Sequence, residues 1–223
     1  MKVIVLAGGQ GRRLTTALPG HKALAQLAGR PLISHVLDEV GESADMESYV
    51  VVPVGLRAEF VASGAVQGAH VVETSATTPT GAIVPLIEHG DLVVLVHADE
   101  ICVGSPAVVY AHAVGRAGAP VVGVTAGKVD RETRLTVRST ASVEVAEDGR
   151  LDDGFTSKPR YIGRFAVQVD DALLDALPRY PSILQALLSG RESIAELTLP
   201  KRYFDCGSDA LLDASQSRFE GAL

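Results

Sequence analysis

Short apolar runs alternate, in the first half of the chain, with segments whose apolar residues recur every three or four positions. Runs of about 4–8 residues that are rich in Val, Ile and Leu are typical of strands buried in a parallel sheet. The predicted strands are Lys2–Ala7, Tyr49–Pro53, His70–Glu73, Leu92–His97 and Pro120–Val124. The predicted helices are Pro31–Val40, Gly81–His89 and Ser105–Gly115. This order of strands and helices predicts βαβ units.

The pattern changes at about Gly127. Leu135–Arg138 and Ser142–Ala146 alternate in the manner of strands, and residues 147–150 have the composition of a turn. Tyr161–Val169 predicts a further strand, and residues 170–188 predict two short helices. We therefore predict a single α/β domain over residues 1–223. Its core is a Rossmann-like, mixed and mostly parallel β-sheet flanked by helices, with a small β elaboration in the second half.

Composition and charge narrow the class of protein. The 223 residues are 47% hydrophobic and 21% charged, which is typical of a globular domain, and the net charge of −7 comes without a block of basic residues. A nucleic-acid partner would need such a block. No stretch approaches the ~20 apolar residues that span a bilayer. We expect a cytoplasmic protein with no membrane partner. Cys102 and Cys206 form no C-x-x-C pair, so we expect two reduced thiols.

A glycine-rich loop follows the first strand. Gly8, Gly9 and Gly11 let the backbone approach a ligand closely and direct its N–H groups toward an anion. Arg12 and Arg13 add charge that suits phosphate. A dinucleotide fingerprint would need a third glycine where Leu14 stands, and a P-loop would need a Gly-Lys-Ser/Thr triplet that the chain lacks. A tight turn with solvated arginines is the alternative.

Three segments in order, Leu6–Leu14, His21–Leu24 and Leu27–Ile33, resemble the opening signature of the NDP-sugar pyrophosphorylases. These sugar-phosphate nucleotidyltransferases belong to a superfamily with a GT-A-like fold, and their pattern runs L-A-G-G-x-G-x-R-L, Pro-Lys, then a hydrophobic-Gly-Lys/Arg-Pro-Leu segment. The resemblance implies that the backbone of residues 8–11 cradles a nucleotide whose phosphates meet Arg13 and Lys22. One departure is His21, which stands where the family has proline.

Two acidic residues are candidates for a metal site. Asp99 follows a buried strand, at the sheet edge where open α/β folds bind ligands. It matches the metal-binding aspartate of the family's Gly-Asp motif, and Glu100 is an alternative. Tyr203–Ser208 resembles the family's aromatic-x-Asp-x-Gly-Thr segment, which implies that Asp205 is the second ligand. Mg²⁺ needs only one or two protein carboxylates, so it is the expected cofactor.

Two further segments resemble nucleotide contacts. Thr78–Ala82 is similar to the family's Gly-Thr-Ala/Gly-x-Ala segment, which contacts the base and ribose. We expect Thr80 to cap the following helix or to contact the nucleotide, and Gly81 to permit close approach. Glu73 falls near the position where many relatives have a glutamine that reads the base, so the sequence leaves the base of the nucleotide undetermined.

The acceptor side departs from the family. Phe155–Pro159 resembles the Glu-Lys-Pro segment whose lysine meets the acceptor's phosphate; Lys158 carries over, but Ser157 replaces the glutamate. Tyr161 replaces the asparagine of the family's Asn-Ala-Gly, and Gly163 keeps the glycine. An unusual sugar or a non-sugar acceptor follows from this departure. The six histidines show no metal-ligand spacing and are expected to be structural or at the surface.

The resemblance implies transfer of a nucleoside monophosphate from an NTP to a phosphorylated acceptor, with a sugar 1-phosphate as the first expectation and pyrophosphate as product. Residues 1–125 would bind the nucleotide and residues 126–223 the acceptor. The expected catalytic residues are Arg13, Lys22, Asp99, Lys158 and Asp205. The expected nucleotide contacts are Leu6, Ala7, Gly8, Gly9, Gly11, Arg12, Arg13, Lys22, Glu73, Thr80, Gly81 and Asp99. The expected acceptor contacts are Lys158 and Gly163.

Two alternatives stay open. A cytidylyl- or guanylyltransferase could use an alcohol phosphate, a phosphonate or a molybdenum cofactor instead of a sugar. Molybdopterin guanylyltransferases share a similar opening, but their lysine lies closer to the arginine than Lys22 does here. The other alternative is a catalytically silent binding protein, against which the retention of all five expected catalytic residues argues. The oligomeric state is open, and a homo-oligomer is compatible with the sequence.

Overall fold

The computed structural model describes residues 1–8, 21–41, 45–103, 106–125, 134–140, 160–199 and 203–220. Its strands are β1 Lys2–Leu6, β2 Gln26–Leu27, β3 Arg30–Pro31, β4 Glu47–Pro53, β5 His70–Thr74, β6 Leu92–His97, β7 Glu100–Cys102, β8 Val121–Thr125, β9 Arg134–Ser139, β10 Arg160–Gln168, β11 Ser193–Leu199 and β12 Tyr203–Asp205. Its α-helices are α1 Leu32–Val40, α2 Arg57–Ala62, α3 Pro79–Ile83, α4 Ala107–Ala117, α5 Asp171–Ala176, α6 Ile183–Leu188 and α7 Asp209–Glu220. Short 3₁₀ turns lie at Lys22–Leu24 and Val84–Leu86.

The strands of the described residues include an eight-stranded sheet with the order β5-β4-β1-β6-β10-β8-β11-β9. Strands β1, β4 and β5 pair in parallel, as do β8 and β11. Strands β9 and β10 run antiparallel to β11 and β8. The prediction of a mixed, mostly parallel sheet flanked by helices is therefore confirmed. Strands β7 and β12 form a separate two-stranded ladder, as do β2 and β3.

The fold divides into two compact units. The first consists of Met1–Ser75, Leu95–Ala107 and Arg202–Leu223, and the second of Ala76–Val94 and Val108–Lys201. The prediction of a single domain with two functional halves stays a prediction. In the part of the chain that the structure describes, no helix combines the length and apolar character that crossing a bilayer requires.

In the first unit, the centre of β1 is formed by Val3, Ile4 and Val5, each with 0% exposure. Helix α1 begins at Leu32, one residue later than predicted, because Pro31 has extended backbone angles (φ −55°, ψ 140°) and is the residue before the first turn. The helix ends at Gly41, whose φ of 78° lies in the left-handed region that glycine adopts without strain. Most of its apolar stripe is buried, as the spacing predicts, and Leu37 is half-buried.

In the second unit, the predicted helix Gly81–His89 is wrong in its extent. Helix α3 ends at Ile83 and is followed by a 3₁₀ turn at Val84–Leu86. The reason is Pro85, which has no N–H for an intrahelical hydrogen bond and clashes with the carbonyl four residues earlier. The predicted strand at Tyr161–Val169 and the two short helices after it are confirmed. The predicted strand Ser142–Ala146 and the turn at 147–150 lie outside the described residues.

Candidate active site

The carboxyl ends of β1 and β6 lie side by side in the first unit. The N–H of Ala98, the residue after β6, donates to the carbonyl of Leu6, the last residue of β1, at 3.1 Å. Gly8 therefore starts the glycine-rich loop at the edge where Asp99 lies. Gly8 is exposed, and a Cβ added to it would meet no atom within 4 Å. Residues 9–20, which include Arg12 and Arg13, lie outside the described residues.

Lys22 contacts Asp99 directly. Its Nζ lies 2.5 Å from Asp99 Oδ2, and the two side chains are only 15% and 13% exposed. Lys22 begins a 3₁₀ turn that His21 caps, since His21 Nδ1 accepts a hydrogen bond from the Ala23 N–H at 3.3 Å. The His21 ring is buried beside Phe60, with ring centroids 5.3 Å apart. The histidine that replaces the family's proline thus holds the turn that carries Lys22.

The charge of Asp99 follows from its neighbours. Burial, the largest single influence, raises the pKa of Asp99, but Lys22 and His97 together outweigh burial and hold that pKa below its ordinary value. The carboxylate is consequently charged at neutral pH.

Asp205 reaches this site through the ladder between β7 and β12. In that antiparallel pair, Asp205 is the register partner of Glu100. The N–H of Cys206 donates to the carbonyl of Asp99 at 2.9 Å, so the two chain segments are joined beside both aspartates. Asp205 Oδ1 accepts from the Gly207 N–H at 2.9 Å, which orients its carboxylate. The fold therefore places the backbone of Asp205 beside that of Asp99 and Glu100, two segments that are far apart in the sequence.

His97, Asp99 and Glu100 form a group whose potential ligand atoms all lie within 4.8 Å of one another. His97 Nδ1 lies 3.3 Å from Glu100 Oε1. Burial, the largest influence, lowers the pKa of His97, but Glu100 and Asp99 raise it above its ordinary value. The prediction sets all histidines aside as structural or surface residues, whereas His97 lies in this group. The signal in the sequence is the spacing of the three residues at the end of β6.

Both cysteines are buried, and neither forms a disulfide within the described residues. Burial raises the pKa of the Cys206 thiol to about 12, and this effect exceeds that of the hydrogen bond with Ser215, which lowers it. A thiol with so high a pKa is protonated at neutral pH and is a poor nucleophile. We therefore expect Cys206 to have a structural role beside Asp205 and not to act as a nucleophile.

The predicted nucleotide contacts beyond the loop have structural partners of their own. Thr80 does not cap α3: the cap is Thr78, whose side chain accepts from the Gly81 N–H at 3.1 Å. Thr80 is 1% exposed and donates to the carbonyl of Tyr180 at 2.7 Å. Glu73 Oε1 accepts from the N–H groups of Gly55 and Arg57 at 2.8 and 3.2 Å, at the start of α2. Contacts of Thr80, Gly81 and Glu73 with a nucleotide stay predictions.

On the acceptor side, Lys158 lies outside the described residues. Tyr161, near the start of β10, donates from its hydroxyl to Glu196 Oε1 at 3.0 Å. Glu196 is 5% exposed, and its Oε2 pairs with Arg138 Nε at 2.6 Å. Burial, the largest influence, and Glu196 raise the pKa of Tyr161, so the phenol is neutral. Gly163 is a buried residue of β10, and its contact with an acceptor stays a prediction.

Residues 3–193 match the family model of the MobA-like NTP transferase domain. The chain belongs to this family. Its membership confirms the resemblance to nucleotidyltransferases that the glycine-rich opening indicates. GlmU, a bifunctional protein of Burkholderia mallei (strain SAVP1), is 48% identical over 61 residues, which are 27% of this chain and 13% of that protein. The match thus spans a small part of these curated relatives.

Solved structures share the fold over nearly the whole chain. A UDP-glucose pyrophosphorylase in complex with UDP-glucose superposes with a TM-score of 0.67 at 16% identity, covering 100% of this chain and 99% of that one. A Bacillus anthracis protein described as a glucose-1-phosphate thymidylyltransferase, in complex with sucrose, gives a TM-score of 0.69 at 16% identity and covers 97% and 94%. At this identity the likeness establishes the fold alone.

Proposed function

We propose that this protein transfers the nucleoside monophosphate of an NTP to a phosphorylated small molecule, with a sugar 1-phosphate as acceptor, and releases pyrophosphate. The observation that carries the proposal is the contact of Lys22 with Asp99 beside the carboxyl ends of β1 and β6, where the glycine-rich loop begins, together with the pairing of Asp205 with Glu100 in the next ladder. A cationic and an anionic group at such an edge suit a polyphosphate that arrives with a divalent cation.

The reaction needs no covalent intermediate. An oxygen of the acceptor's phosphate attacks the α-phosphorus, the new O–P bond forms, and the bond from the α-phosphorus to the bridging oxygen breaks as pyrophosphate leaves. The attacking phosphate oxygen is already anionic, so no general base is required. Catalysis then depends on position and charge neutralisation. We assign charge neutralisation to Arg13 and Lys22 on the nucleotide, and orientation of the acceptor's phosphate to Lys158.

The donor set fits a hard divalent cation. Asp99, Glu100 and the neighbouring Asp205 offer carboxylate oxygens, the ligands that Mg²⁺ prefers. We assign the cation to Asp99 and Asp205, with Glu100 beside them. Bound there, Mg²⁺ would supply positive charge to the oxygens of the reacting phosphate. The protein's part is to hold these carboxylates in place through the β7–β12 ladder.

Tyr161 favours an acceptor other than the common hexose 1-phosphates. Its hydroxyl donates to Glu196, which also pairs with Arg138, so this hydrogen is already used within the protein. A sugar hydroxyl left without its partner in a binding site weakens binding by about 1–3 kcal/mol. Ser157 in place of the family's glutamate has the same consequence. The second candidate function is therefore cytidylyl or guanylyl transfer to a non-sugar phosphorylated acceptor.

The test is a matrix of the common NTPs against phosphorylated acceptors, read by pyrophosphate release, with Asp99→Asn as the inactive control. We expect release with one NTP in the presence of a phosphorylated acceptor, none with its unphosphorylated form, and weak activity on glucose 1-phosphate. Turnover of glucose, mannose or N-acetylglucosamine 1-phosphate with kcat/KM of about 10⁴ M⁻¹s⁻¹ or more would refute the unusual acceptor. Nucleotide binding without any pyrophosphate release would instead support the silent binding protein.

A further inference from the structure

We infer that Lys22 acts as a resident counter-ion of Asp99: it keeps a free divalent cation from binding there and leaves Asp99 when a phosphate group offers the ammonium another anionic partner. The inference rests on the proposed function in one respect, that Asp99 is a cation ligand. Its structural basis is the contact of 2.5 Å between Lys22 Nζ and Asp99 Oδ2.

The pair is held by structure on both sides. Asp99 follows β6, and the Cys206 N–H is bonded to its carbonyl. Lys22 lies in a 3₁₀ turn that His21 caps from a buried position. With exposures of 15% and 13%, the two side chains are poorly hydrated, so water screens the attraction between them only weakly. An ion pair of this kind persists until another charge replaces one of its members.

The balance of charge explains why the lysine would exclude a free cation. Asp99 and Glu100 contribute two negative charges, and Lys22 cancels one of them. A divalent cation entering beside the ammonium would meet its repulsion at a few ångströms, and the other carboxylate of the group, Glu100, lies 3.3 Å from His97 Nδ1. When the ammonium turns to a phosphate instead, the negative charge of Asp99 is no longer cancelled and can attract the cation. The cation would therefore bind together with the nucleotide rather than ahead of it.

The chain offers a matched control for this effect. Arg30 Nη2 contacts Asp38 Oδ2 at 2.7 Å, also a single cation on a single aspartate, but the two side chains are 51% and 62% exposed. No group of potential ligands within the described residues includes Asp38. Removing Arg30 should thus leave a solvated carboxylate without creating a cation site.

The experiment measures Mn²⁺ binding to the protein alone, without nucleotide, by electron paramagnetic resonance of the free ion. We expect Lys22→Met to bind Mn²⁺ more tightly than the wild type by about tenfold, within the ~5–150-fold range typical of coupled sites. Arg30→Met should bind as the wild type does. The double variant Lys22→Met/Asp99→Asn should not show the higher Mn²⁺ affinity, because that increase requires the Asp99 carboxylate. Circular dichroism confirms folding, and Lys22→Gln serves as a second variant.

Equal Mn²⁺ affinities of the wild type and both folded Lys22 variants would overturn the inference. The same gain in Arg30→Met, or its persistence in the double variant, would also overturn it, because the effect would then be general electrostatics. Since no nucleotide or acceptor is added, the result does not depend on turnover. If the protein released no pyrophosphate with any of the NTPs but Lys22→Met still bound Mn²⁺ more tightly, the proposed function would be refuted and the inference would stand.

Discussion

Replacing Gly123 with alanine should destabilise the protein, because this residue of β8 has no room for a side chain. A Cβ there would lie 2.8 Å from Ile162 Cγ1, 2.8 Å from Tyr110 Oη and 2.9 Å from Ile162 Cδ1. Carbon atoms in contact prefer separations of about 3.5–4.0 Å. Tyr110 is 0% and Ile162 2% exposed, so neither neighbour has free space into which to move.

We expect the Gly123→Ala variant to lose about 1–3 kcal/mol of unfolding free energy, as overpacked cores do. In a chain of this size, each kcal/mol lowers the melting temperature by about 2–4 °C. Gly115 provides a control of opposite sign. It lies on the exposed side of α4, and a Cβ there would meet no atom within 4 Å. Gly115→Ala should therefore stabilise the helix by about 0.5–1 kcal/mol.

The assay is urea unfolding followed by circular dichroism, supported by thermal melting. A double-mutant cycle with Ile162→Ala identifies the cause: this change alone should cost about 2–5 kcal/mol, yet the double variant should be more stable than additivity predicts by about 0.5–3 kcal/mol. An unchanged stability of Gly123→Ala, or strict additivity in the cycle, would show that the packing of β8 against Ile162 is not as described.

The remaining predictions concern the site and the dependence of stability on pH. Asp99→Asn and Asp205→Asn should each fold and lose most turnover, and near wild-type rates in EDTA would refute the metal assignment. Arg13→Ala should lower kcat, whereas Lys158→Ala should raise the KM for the acceptor. If Lys158→Ala raised only the KM for the NTP, the assignment of Lys158 to the acceptor would be wrong. Burial, the largest influence, lowers the pKa of His35, so the folded state binds its proton less readily than the unfolded state. The unfolding free energy should consequently fall as the pH drops below about 6.5, and His35→Gln should lessen that fall in urea titrations at about pH 7.5 and about pH 5.5.

Much of the fold follows from local sequence patterns. Strand β6 is a continuous apolar run, and its placement at Leu92–His97 is as predicted. Helix α1 is defined by the period of its apolar residues and by Pro31. Such patterns work because burial of a strand or of one helix face depends on residues close in sequence. The same logic places Asp99 at the carboxyl end of a strand, and the family match over residues 3–193 confirms the class of protein that the glycine-rich opening indicates.

Side-chain partners within the site were decided by the tertiary structure. Pro79 at the first helical position indicates that Thr78 caps α3, but only the fold shows that the Thr80 hydroxyl donates to a carbonyl of residue 180. The hydrogen bond from the Gly55 N–H, just before α2, to Glu73 Oε1 also depends on how β5 pairs with β4. These contacts join residues whose neighbourhood is set by chain folding, and the short range of hydrogen bonds makes them sensitive to that geometry.

The sequence by itself determined the candidate acids, the glycine-rich loop and the lysine, because each stands in a recognisable local pattern. Only the tertiary structure decided that Asp205 pairs with Glu100 across the β7–β12 ladder and that Lys22 contacts Asp99. Pairing of distant strands depends on which arrangement buries the most apolar surface while satisfying the backbone hydrogen bonds of the whole chain. That total is a property of the folded molecule, so no segment read alone contains it.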